Sequence, residues 1–76
     1  MQAKFRDVPK AIEIAGQLTA SNPSEPVFFD TLASCYFEAD DIPNAIRSEQ
    51  TAIELNPMKK EYQDAIKRCQ ALIKAR

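Results

Sequence analysis

The chain repeats itself at an offset of 34 residues. Asp7-Val8-Pro9-Lys10-Ala11-Ile12 returns as Asp41-Ile42-Pro43-Asn44-Ala45-Ile46. The same offset carries Asn22-Pro23 onto Asn56-Pro57, Phe28 onto Tyr62, Asp30 onto Asp64, Leu32 onto Ile66 and Cys35 onto Cys69. Agreement at one offset in several separate places marks a repeated structural unit. Units of this length bury their apolar faces by stacking on a neighbour.

Local signals make each unit helical. Asp7 and Asp41 are good N-cap residues, and each has a proline two positions on, in the first turn where a missing N–H costs nothing. Phe29, Leu32, Ala33, Tyr36 and Phe37 recur at helical spacing, as do Ala45, Ile46, Ala52, Ile53 and Leu55. Asn22-Pro23-Ser24-Glu25-Pro26 cannot continue a helix, and Asp40-Asp41-Ile42-Pro43 reads as a turn. The spacing predicts four helices, over 8–21, 25–39, 43–55 and 59–75, in an all-α chain of antiparallel helix–turn–helix pairs. Ala33, set against Ala45 and Ala52, lets two of them approach closely. The expected core is Leu32, Ala33, Tyr36, Ala45, Ile46, Ala52, Ile53 and Ile66, and the last helix offers the stripe Tyr62, Ile66, Cys69 and Ile73.

A period of 34 with a helix–turn–helix unit resembles the tetratricopeptide repeat, whose pattern is Trp-x2-Leu-Gly-x2-Tyr, then Ala-x3-Phe, then Pro. In residues 26–59 Phe29 stands in the Trp place, followed by Leu32, Ala33 in the Gly place, Tyr36, Ala45, Ala52 and Pro57. Glu49 departs from the pattern by replacing a large aromatic, which weakens local packing. The resemblance covers essentially all of residues 1–76, read as one domain. It implies a truncated repeat represented by its second helix (8–21), a complete repeat (26–59) and a polar-faced capping helix (59–75). Asp30-Thr31-Leu32-Ala33-x2-Tyr36, with Ala45-Ile46-x3-Gln50 and Glu61-Tyr62, resembles bacterial tetratricopeptide segments. That likeness implies the C-terminal part of a longer chain.

At 76 residues the core must be thin. A domain this short buries only about 60% of its unfolded surface and gains roughly 3–5 kcal/mol from one core. The net charge of −1 conceals a lengthwise division. Residues 22–57 hold seven acids against Arg47, and residues 58–76 hold six bases against Glu61 and Asp64. A basic end allows nucleic-acid binding as an alternative function. Equally, Lys67, Arg68, Lys74 and Arg76 complement the dipole of a last helix, no aromatics interleave with them, and the rest of the domain is acidic. No apolar run reaches the ~18 residues of a membrane span and no signal peptide is evident. A cytoplasmic location is expected, or a periplasmic one if a signal has been removed.

Catalytic residues are not expected. Histidine, the usual base, is absent, and Gly16 is the lone glycine, so no glycine-rich phosphate loop can form. Asp40 and Asp41 read as cap and solvated charge. No cofactor or metal is expected. Equivalent positions in neighbouring repeats lie ~8–10 Å apart, beyond the reach of about 7 Å for a disulfide. Cys35 and Cys69 are therefore expected to be free.

The resemblance implies a partner protein or peptide held in a concave groove. The matching positions are Val27, Asp30, Ser34, Phe37 and Glu38, then Glu61, Asp64, Arg68 and Leu72. Chaperone-binding members clamp a terminal carboxylate with basic groove residues, whereas Asp30, Glu38, Glu61 and Asp64 give this groove the opposite sign. It suits a basic or amphipathic segment, and its acids equally suit a solvated surface. Finally, helix 8–21 lacks the helix that precedes it in a full repeat. Ile12, Ile14 and Leu18 are then expected to pair with a second copy in a homodimer. Alternatively, residues 1–6 fold back and cover the patch with Phe5, or another domain covers it.

Overall fold

Helices begin where the sequence supplies a start. Asp7 Oδ1 accepts a hydrogen bond from the Lys10 amide at 3.1 Å, and Asp41 Oδ1 accepts one from the Asn44 amide at 3.5 Å. Prolines occupy the first turn of the first three helices, where no amide hydrogen bond is lost. The computed structural model describes residues 7–76 and contains four helices. These are α1 (Val8–Ser21), α2 (Pro26–Glu38), α3 (Ile42–Leu55) and α4 (Lys60–Ala75). No strand occurs among the described residues. The fold-back of residues 1–6 with Phe5 lies outside them.

The two Asn–Pro connections share one geometry. The amides of Asn22 and Asn56 each donate 2.9 Å bonds to the carbonyl four residues back, on Leu18 and Ala52. Three residues on, the amides of Glu25 and Lys59 donate to the carbonyls of Asn22 and Asn56. Between α2 and α3 the corner differs. The Asp41 amide donates to the Tyr36 carbonyl at 2.9 Å and the Asp40 amide to the Phe37 carbonyl at 3.0 Å. This is a Schellman closure with Asp40 in the left-handed region at φ 63°.

Each helix packs chiefly on its neighbours in the chain, and the α2–α3 interface is the most extensive. The product is a slab of 33 × 33 × 20 Å. Ala15, Ala33, Ala45, Ala52 and Ala65 are all buried, so small side chains line the places where axes come together. Ile42, Ala45 and Cys69 form the centre, and Tyr36, Ile46 and Leu72 pack around them.

Several expectations about the core need correction. Tyr36, Ile46, Ile53 and Ile66 are half-buried, because a slab this thin leaves large side chains at its margins partly in water. Ile42, read as a turn residue, opens α3 and is 1% exposed. The inward stripe of α4 is Tyr62, Ala65, Cys69 and Leu72. Ile73 is 49% exposed, so the stripe is displaced by one position from the expected one. Both cysteines are free, with Cys69 buried.

Candidate interaction groove

Side chains of α2 and α4 border an open hollow of about 340 Å³, lined by Asp30, Ser34, Glu61, Asp64, Ala65 and Arg68. Every one except Ala65 belongs to the expected groove. On α2, Asp30 and Ser34 are four residues apart and share a face; on α4, Glu61, Asp64 and Arg68 follow at steps of three and four. The face holds three carboxylates and one guanidinium. Arg68 lies over the ring of Phe37, 5.9 Å from its centroid, a distance at which cation and ring attract.

The other expected groove residues fall outside this hollow. Val27 and Glu38 are exposed, and neither borders it. Phe37 borders a small adjoining recess. Leu72 is a correction: it packs against the Ile42–Ala45–Cys69 centre, because it continues the inward stripe of α4.

Glu49 is the residue that sequence reasoning passed over. It is 2% exposed, among the most buried side chains of the fold. With Ala33, Ser34, Phe37, Ala65, Arg68 and Cys69 it lines a recess of about 10 Å³. Ser34, Ala65 and Arg68 are common to this recess and the larger hollow, so Glu49 lies at the floor of the same groove. Its Oε2 has no hydrogen-bond partner. Burial pushes its carboxyl up to about 9. Asp30 adds to this as hydrogen-bond partner and as negative charge, while Arg68 acts in the opposite direction. At neutral pH Glu49 is therefore protonated beside Asp30. The sequence did hold a signal: Glu49 stands between Ala45 and Ala52 at spacings of four and three, on the buried face of α3.

The expected self-association residues do not share one face. At about 100° per residue, Ile14 and Leu18 lie roughly 40° apart around α1. Ile12 lies about 160° from Ile14, on the side of the buried Ala15 and Thr19. It is half-buried, whereas Ile14 and Leu18 are 47% and 37% exposed. The basic end of the chain is partly engaged as well, Arg76 with Asp40 and Arg68 with Phe37.

No three His, Cys, Asp or Glu side chains converge to hold a metal ion among the described residues. No helix there is long and apolar enough to cross a membrane. Compared with known proteins, the chain matches no family model, no curated protein and no solved structure.

Proposed function

We propose that this chain is a non-catalytic interaction module of the tetratricopeptide type, taking a basic or amphipathic segment of a partner protein into the α2–α4 groove. One observation carries this: Asp30, Ser34, Glu61, Asp64 and Arg68, far apart in sequence, border a single open hollow with excess negative charge. The 34-residue offset, its Asn–Pro connections and the Tyr36 and Ala45 positions support the repeat assignment. Nucleic-acid binding through α4 is opposed by Glu61 and Asp64 on that helix and by the engagement of Arg68 and Arg76.

Titration calorimetry with a basic amphipathic peptide and with an acidic C-terminal peptide tests the function. The basic peptide binds, and Glu61→Lys together with Asp64→Lys weakens it at least about tenfold, or ~1.4 kcal/mol. Salt-sensitive micromolar binding of the acidic peptide instead would reject the assignment.

A second function is favoured by the exposed pair Ile14 and Leu18, whose shared face on α1 offers a two-fold contact between copies. Sedimentation across a concentration series tests it directly.

A further inference from the structure

We propose that the hollow between α2 and α4 binds the cationic side chain of an arginine, and that the buried Glu49 behind Asp30 releases a proton to admit it. The site is the groove of the proposed function, and the proposal rests on that assignment while adding the ligand's chemistry and its coupling to protons.

Two independent features point to a cation. Asp30, Glu61 and Asp64 face a hollow of about 340 Å³ whose one guanidinium, Arg68, is drawn toward the ring of Phe37. Beneath them, Glu49 is 2% exposed with an oxygen that no protein donor reaches, although buried carboxyl oxygens are ordinarily satisfied. The adjoining recess, about 10 Å³, is the size of a single water and too small for a guanidinium. An incoming cation therefore sits in the larger hollow against Asp30, and Glu49 responds from behind. The carboxylates do not converge on a point, which disfavours a metal ion and suits a broad, planar group with several N–H donors.

The coupling follows from the Asp30–Glu49 pair. In the empty groove one proton holds two adjacent carboxyls together. A guanidinium against Asp30 supplies the positive charge that lets both ionise, and the proton leaves Glu49 for solvent. One proton is released for each arginine bound. The charged or titratable groups facing Glu49 are Asp30 from α2, with Arg68, Tyr62 and Cys69 from α4. Burial pushes both the Tyr62 hydroxyl and the Cys69 thiol above their ordinary values, so neither ionises near neutral pH. Glu49 is then the titrating group.

The test uses a capped Ala-Leu-Arg-Leu-Ala peptide and its counterpart with citrulline, a neutral near-isostere, in place of arginine. The arginine peptide binds, and its affinity rises up to about tenfold per unit between roughly pH 6 and 8. Calorimetry in buffers of different ionisation enthalpy reads close to one proton released. Citrulline binds at least about tenfold more weakly. Glu49→Gln, which resembles the protonated side chain in shape, removes both the pH slope and the proton release. Carboxyl NMR of Glu49 in the free protein reads protonated at neutral pH. Arginine binding without a pH slope, or a slope that survives in Glu49→Gln, overturns the proposal and leaves the interaction groove standing. Equal affinity for arginine and citrulline, or a Glu49 already ionised at neutral pH, overturns it as well. If neither this nor any other basic peptide binds, the groove assignment fails with it.

Discussion

Asp30 of α2 and Glu49 of α3 stand side by side at the floor of the groove, and their proximity keeps the Glu49 carboxyl protonated up to about pH 9. In the unfolded chain the same carboxyl ionises near its ordinary value of 4.5. Between those two values the folded state holds a proton that the unfolded state has lost. Glu49's contribution is full below the unfolded value and is lost as pH rises toward 9, at up to about 1.4 kcal/mol per unit. Urea unfolding should find the wild type losing stability from pH 5 to 8.5, with the loss flattened in Glu49→Gln. At pH 8 that variant should be more stable by about 2 kcal/mol or more. Coincident pH profiles for the two proteins would place the slope elsewhere.

Asp40 holds the left-handed position of the α2–α3 corner, where its side chain costs energy that glycine would not. Its pair with Arg76 joins two side chains that are each more than half exposed, so that contact contributes little. Asp40→Gly should therefore raise stability, by up to about 1 kcal/mol, and Asp40→Ala should lower it. Arg76→Ala should change it by less than about 0.5 kcal/mol. Thermal unfolding of the three variants measures the order.

Ile42 is the largest apolar side chain fully buried in the fold. Ile42→Ala should cost about 2–5 kcal/mol, as cavities in packed cores do, and could remove most of the stability of so small a domain. Ile73→Ala, at a half-exposed position, should cost well under half as much. Circular dichroism melts would show the contrast.

Ile14 and Leu18 form a two-residue patch, worth about 1.5–3 kcal/mol for each side chain covered, before the cost of association. With Ile12 turned toward α2, the pairing of two copies should be weak, with monomer predominating in dilute solution. Leu18→Glu should abolish it. Sedimentation equilibrium at several concentrations would detect both, and a tight dimer indifferent to Leu18→Glu would locate the interface elsewhere.

The helices were legible because their signals are local. Asp7, Asp41 and the first-turn prolines mark starts, and the Asn22-Pro23 and Asn56-Pro57 pairs mark stops. The groove was legible where a helical spacing of three or four fixes a shared face, as for Asp30 with Ser34 and for Glu61, Asp64 and Arg68. Faces whose orientation depends on a neighbour were harder. Leu72 and Ile73 are both apolar and adjacent, and only packing on α3 decides that Leu72 turns inward. Glu49 was missed because its type argues for the surface, while its position in the Ala45–Ala52 stripe argues for the core. Position prevailed, and the cost fell on its protonation state.

Because each helix leans mainly on its neighbours in the chain, the slab has no single keystone that all four share. The α2–α3 hairpin can persist while α1 or α4 peels away independently, so amide exchange should be slowest in α2 and α3 and quickest toward the two ends. The hollow spans α2 and α4, and an occupant would fasten the outer helix to the hairpin it otherwise reaches through α3. A bound segment would then act as a clasp, slowing exchange in α4 and leaving α1 as loose as before.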